Sequence, residues 1–214
     1  MDLRNPDVLL SQLASSEGRI DQEMNKLLAQ KLSDFEDPEP VAALVLLLQT
    51  ATRHQIYDIL LVLGYVAEET PRLIQPHLQE LMTYLDSKVN NQIWTTMILL
   101  ARAVEGNEMY FFEELPKILD AMHRSSVVAK DHGMRLIVQL YQDKRIQEDV
   151  YFLFLEELRC APDNQLGQYA LRIFPFVLHE HKLEIITVLE ERYAELPSEV
   201  LQRRISKILK KYRK

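Results

Sequence analysis

The chain has 214 residues, a formal net charge of −7, 47% hydrophobic and 27% charged residues, which is the balance of an ordinary folded protein and not of a disordered tail. Five glycines, nine prolines and no Val/Thr-rich alternation argue against a sheet protein. The single cysteine, Cys160, excludes an internal disulfide framework and fits a reducing compartment.

The N-terminus MDLRNPDVLL lacks the basic leader and apolar core of a secretory signal. The longest apolar runs, 41–48 and 59–63, fall far short of the roughly 20 residues that cross a bilayer. A soluble, cytoplasmic protein is the expectation. Charge is distributed unevenly: residues 201–214 hold seven of the 25 Lys and Arg and none of the 32 acids, leaving −14 on residues 1–200.

In chain order, Asn5-Pro6-Asp7 predicts a helix start with a capping Asn and a first-turn proline. After the break at Ser15–Gly18, the apolar spacing of Ile20, Met24, Leu27, Leu28 and Leu32 predicts a second helix. Ser33–Pro40 (SDFEDPEP) is expected to be an acidic connector, because its prolines cannot continue a helix. A third helix is expected from Val41 to Thr50, covered on most sides because VAALVLLL has little polar surface.

From His54 onward a pattern repeats. Ile56, Leu60, Leu63, Gly64 and Ala67 sit at i, i+4, i+7, i+8 and i+11, one stripe of a helix. The stripe returns as Ile93, Met97, Leu100, Ala101, Val104; as Ala129, Gly133, Leu136, Ile137, Leu140; as Leu166, Ala170, Ile173, Phe174, Val177; and as Leu201, Ile205, Ile208, Leu209, Tyr212. The steps between first members are 37, 36, 37 and 35 residues, and a constant period in this range marks a repeat array. Each stripe helix, termed A, is followed by a B helix, expected at Pro71–Asp86, Glu108–Arg124, Gln147–Cys160 and Glu180–Glu195. Pro71 and Pro197 are expected in first turns. Asp163 or Asn164 is expected to cap the fourth A helix, and Gly106-Asn107 to separate A from B in the second repeat. Pro76, Pro116 and Pro175 fall inside predicted helices and are expected to kink them without breaking them.

These paired helices of about 37 residues, with the proline-bearing segment PRLIQPHLQELMTYL, resemble HEAT repeats, with armadillo-type and adaptin-like arrays as close relatives. Asp131 and Arg135 are a partial match to the Asp and basic residue that the HEAT pattern carries between repeats. The resemblance implies an all-α, right-handed α-α superhelix of about 11–12 helices in a single domain. Its parts would be N-terminal capping helices at 1–53, four helix pairs at 54–196 and a basic C-terminal capping helix at 197–214.

The sequence contains no GxGxxG, phosphate-loop, GxSxG or HExxH pattern, so no catalytic residue, cofactor site or metal site is expected. His179 and His181 flank Glu180 at a helix turn, but no third metal ligand is evident, and solvated turn residues are the default reading. Cys160 has no histidine near it in sequence to activate a thiolate. Asp34, Glu36, Asp37 and Glu39 lack the glycine and spacing of a calcium loop and are expected to be a solvated connector.

Two features stand out. The four B helices carry 15 acids against 6 Lys and Arg, whereas the A helices at 54–68, 90–105, 126–142 and 163–178 carry 5 against 4. In HEAT-like arrays the B helices line the concave side, so the resemblance implies an acidic groove of Glu113, Glu114, Asp120, Glu156, Glu157, Glu190 and Glu191. Such a field attracts basic proteins or peptides and repels nucleic acid. One ring of each aromatic cluster, Tyr110 and Tyr151 being the candidates, is expected to anchor a partner.

The second feature is the basic last helix, with Arg203, Arg204, Lys207, Lys210, Lys211, Arg213 and Lys214 expected on its solvent side. They complement the helix dipole and keep the terminal repeat soluble, or they bind an anionic partner. The expected function is a non-enzymatic scaffold or adaptor that binds a basic protein or peptide, for example a regulatory or immunity-type protein. The alternative is a nucleic-acid protein similar to the HEAT-like alkylpurine DNA glycosylases. Their groove is cationic, while this chain offers one tryptophan, Trp94, and an acidic body.

Overall fold

The computed structural model of the chain describes residues 3–18 and 21–213. Ile20 of the second predicted helix and Lys214 of the basic tail lie outside the described residues. Among those described there are thirteen α-helices, four short 3-10 segments and no strand. Contacts divide the chain into two units, Met1–Leu136 and Ile137–Lys214.

The first unit holds α1 (Pro6–Ser11), a 3-10 turn at Ala14–Glu17, α2 (Glu23–Phe35), α3 (Pro38–Leu47) and α4 (Arg53–Glu69). A broken stretch follows, with 3-10 turns at Pro71–Leu73, Gln75–His77 and Thr83–Asp86 around α5 (Leu78–Met82). Then come α6 (Asn90–Arg102), α7 (Glu108–Glu113), α8 (Leu115–Arg124) and α9 (Val127–Leu140), the unit boundary falling inside α9. The second unit contains α10 (Gln147–Arg159), α11 (Asp163–Ile173), α12 (His179–Glu195) and α13 (Glu199–Tyr212).

Helix starts follow local chemistry. Asn5 accepts the Asp7 N–H at 2.9 Å, as expected of a cap. Thr52 and Gln55 form a capping box at the start of α4, a signal readable as T-x-x-Q just before the first stripe. Ser198 caps α13 by accepting from the Leu201 N–H, so Pro197 stands outside that helix and not in its first turn. At α11 the cap position is Pro162, without a side-chain bond. Asp163 is instead held by Arg192 at 2.6 Å.

The expected acidic connector at Ser33–Pro40 shrinks to two residues. Helix α2 runs to Phe35, Glu36 turns the chain with φ of 50°, and Asp37 caps α3 by accepting from the Glu39 N–H at 3.1 Å. Both prolines of the stretch lie in the first turn of α3, where a missing N–H is tolerated. Its acids are paired as well as solvated: Arg4 reaches Asp37 at 2.9 Å and Glu39 at 2.8 Å, and Arg72 reaches Glu36. The Glu39 N–H first, and then Arg4, hold the Asp37 carboxyl below the usual carboxylate range.

The interior prolines break their helices and do not merely kink them. Pro76 sits in a 3-10 turn, the second B helix is interrupted at Glu114 so that Pro116 falls in the first turn of α8, and α11 ends at Ile173 ahead of Pro175. Each proline removes an N–H donor and crowds the preceding turn, and short helices with an irregular residue between them accommodate this better than a bent continuous helix. The helix count therefore exceeds the 11–12 expected.

The stripes form the core. Every stripe residue is buried except Ile56, Val177, Leu201 and Tyr212, which are half-buried. In the first unit α4 packs between α2 and α6, the α4–α6 contact being A helix against A helix. In the second, α11 packs on α13 and α10 on α12, so A stacks on A and B on B. No pair closes its own apolar stripe, and stability is passed between neighbours.

Helix α4 meets α6 at Gly64, where an added Cβ would stand 3.6 Å from the Leu99 Cα, an ordinary contact distance, so the approach does not require the glycine. At Gly133 the surroundings differ. A Cβ there would instead collide with the side chain of Met122, so this glycine makes room for a buried thioether and not for a neighbouring backbone.

A buried polar knot ties the first helices to α4. The Asp58 carboxylate, 3% exposed, accepts from Asn25 Nδ2 at 2.7 Å and from the Ser15 N–H at 2.8 Å, while Asn25 Oδ1 accepts from the Ala14 N–H at 3.0 Å. Each otherwise orphaned donor is satisfied, which makes a buried charge tolerable.

Candidate functional site

The B helices place their acids by amphipathic geometry: apolar residues face the A helices and charges face out. In the first unit Glu113 is exposed at the end of α7, Glu114 is half-buried between α7 and α8, and Asp120 is exposed on α8, where it pairs with Arg124 at 2.8 Å. Tyr110 is half-buried, packed edge-on to Phe111, and its hydroxyl finds no hydrogen-bond partner among the described residues. Burial first, and then the nearby Glu114, push its phenol above the usual range.

In the second unit Glu156 is exposed and pairs with Arg159 at 2.5 Å, and Glu157 is half-buried. Glu191 is exposed, but the half-buried Glu190 is ion-paired with Arg213. The pair ties the groove candidate Glu190 to the basic tail, while the Arg213 side chain stays 58% exposed, on the solvent side as expected.

Tyr151 also departs from its expected role. It is fully buried, its ring stacked on His181 with centroids 3.7 Å apart, and its hydroxyl contacts the His181 carbonyl at 2.9 Å and Glu184 Oε2 at 2.6 Å. Burial, reinforced by Glu184, drives its phenol far above the usual range. The exposed ring of that cluster is the next residue, Phe152, at 59%. One step along a helix rotates a side chain by about 100°, enough to turn one ring into the core and the next toward solvent.

Phe152, Leu155, Glu156, Arg159, Glu184 and Thr187 line a cleft of 360 Å³ between α10 and α12. It presents an aromatic face and two carboxylates, of which Glu156 is paired with the Arg159 guanidinium in the same lining. Glu184 was missed at the sequence level because its role depends on Tyr151, which lies 33 residues earlier.

On α13, Arg203 pairs with Glu199 at 3.0 Å and Lys211 lies 4.9 Å over the Tyr212 ring. Arg204, Lys207 and Lys210 are exposed and make no ion pair among the described residues. Arg204 and Lys207 rim an apolar cleft of 390 Å³ lined by Gly167, Leu171, Ile205 and Ile208.

One further residue corrects an earlier reading. His181 is not a solvated turn residue but 8% exposed, its Nδ1 lying 3.1 Å from the Tyr141 hydroxyl. Trp94 is half-buried and meets Tyr57 edge-on at 5.5 Å, joining α6 to α4. Cys160 is exposed. No described helix is long and apolar enough to cross a membrane.

No family model and no curated protein matches the chain. Solved structures do. A designed armadillo repeat protein in complex with the peptide (KR)4 is 16% identical, with a TM-score of 0.62, covering 99% of this chain and 100% of that one. A second designed armadillo repeat protein is 16% identical, with a TM-score of 0.58 and coverage of 98% and 99%. An engineered protein is 15% identical, with a TM-score of 0.51 and coverage of 98% and 97%. At this identity the likeness concerns the fold alone: the chain has an armadillo- or HEAT-like helical repeat fold, an architecture found in designed scaffolds, one of them peptide-bound.

Proposed function

We propose that this chain is a non-enzymatic scaffold that binds a basic protein or peptide through the acidic face of its B helices, with 1–53 and 197–214 capping the repeats between them. The observation that carries this reading is the cleft in which Phe152, Glu156 and Glu184 meet. The Phe152 ring and the Glu156 and Glu184 carboxylates line it together with Arg159, so an incoming arginine or lysine side chain meets a cation–π face and Glu184 and competes with Arg159 for Glu156. The likeness to a designed repeat protein in complex with (KR)4 supports the same class of ligand.

The test is fluorescence anisotropy with a labelled (KR)4 peptide against the parent, a variant with Glu113, Glu114, Glu156 and Glu157 reversed to Lys, and Phe152→Ala. Binding by the parent that weakens with salt and is lost on charge reversal is expected. Equal binding by the parent and the charge-reversed variant would sink the proposal, as would no binding by the parent. A second reading rests on the unpaired Arg204, Lys207 and Lys210 face, which suits an anionic partner. Duplex-DNA affinity that falls steeply with salt and disappears when these three become Glu would favour it.

A further inference from the structure

One cluster in the second unit lies outside this reading. Glu148 stands in the first turn of α10, and Glu180 and His181 stand in the first turn of α12. Their ligating atoms all lie within 4.8 Å of one another, with His181 Nε2 3.3 Å from the Glu148 carboxylate. Bonds of about 2.0–2.2 Å at tetrahedral angles set donor atoms roughly 3.4 Å apart, so this pair is already at coordinating distance. Glu180 is exposed and needs only a side-chain rotation to join them.

The imidazole is held as a metal ligand should be. Its far nitrogen meets the Tyr141 hydroxyl at 3.1 Å, that oxygen accepts the Leu178 N–H at 3.0 Å, and Tyr151 covers one ring face with an interplanar angle of 7°. Engagement of the non-ligating nitrogen fixes both tautomer and ring orientation. The hydroxyl proton of Tyr141 can rotate. Without metal it donates to Nδ1 while Nε2–H donates to Glu148; with metal, Nδ1–H donates to the Tyr141 oxygen and the Nε2 lone pair is free.

We propose that Glu148, Glu180 and His181 bind a divalent transition-metal ion, Zn²⁺ by donor type, which pins the start of α12 to the start of α10. One imidazole and two carboxylates suit a borderline first-row ion, and the exposed side leaves room for water to complete the shell. The positive ends of two helices oppose a cation, and the two carboxylates offset them. His179 takes no part, because residues two apart on a helix point about 200° from one another.

The test is calorimetric titration of the intact, metal-stripped chain with Zn²⁺, repeated with Co²⁺ while the visible absorption is followed. The parent is expected to take up one ion per chain. Glu148→Gln and Glu180→Gln should each weaken binding by about tenfold or more with the far-UV circular dichroism unchanged, since both side chains are at the surface. His179→Gln should bind like the parent. The proposal is overturned if the parent takes up no ion, if both Gln variants bind like the parent, or if His179→Gln abolishes uptake.

Discussion

The phenol of Tyr151 lies flat on the imidazole of His181, 3.7 Å away and 7° from parallel, while its hydroxyl reaches back to the carbonyl of the same histidine at 2.9 Å. Both ends of one residue are thus held by another, which locks the first turn of α12 onto α10 at a B-on-B contact. Stacking, burial and a hydrogen bond act together there.

Tyr151→Phe keeps the ring and removes the hydroxyl, leaving the buried carbonyl and Glu184 without their shared donor. Its expected cost is about 1–3 kcal/mol, read from the denaturant midpoint at unchanged m-value. Tyr151→Leu also removes the stack and should cost more. If the Phe variant were as stable as the parent, the hydroxyl contacts would contribute nothing net.

The two stripe glycines should respond oppositely to alanine. At Gly64 the new methyl makes ordinary contact, with nearest atoms at 3.5 and 3.6 Å, and relief of helical glycine should add up to about 1 kcal/mol. At Gly133 the methyl meets Met122, itself 1% exposed, and overpacking should cost about 1–3 kcal/mol. Thermal melts of Gly64→Ala and Gly133→Ala measure both, and a shared sign would refute the distinction.

Acid sensitivity is expected around His77. Burial holds its imidazole below the usual 6.5, so the unfolded chain binds that proton more readily. Stability is therefore fully present above pH 6.5 and falls as the pH drops from there toward the folded value. Unfolding curves between pH 7 and 5 should show a smaller loss of stability in His77→Gln than in the parent, and equal losses would refute this assignment.

Repeats and core were legible in the chain itself, because a stripe recurring every 35–37 residues can bury its apolar side only against its neighbours, and all but four of the stripe residues are buried. Some local chemistry was equally legible, such as the Asn5 cap. Local pattern misled at the prolines, whose steric demands ended helices that apolar spacing alone would continue. It also misled at Tyr151 and Phe152, since both are aromatic and only packing decides which one faces inward. Distant pairs were beyond it altogether. Stacking one B helix on the previous one brings Glu148 to His181 and Tyr151 to Glu184, each 33 residues apart, and folds Arg213 onto Glu190. Composition and period dictate which faces must be covered; tertiary stacking decides which charges remain free and which donors meet, because those depend on rotations of neighbouring helices that no single helix encodes.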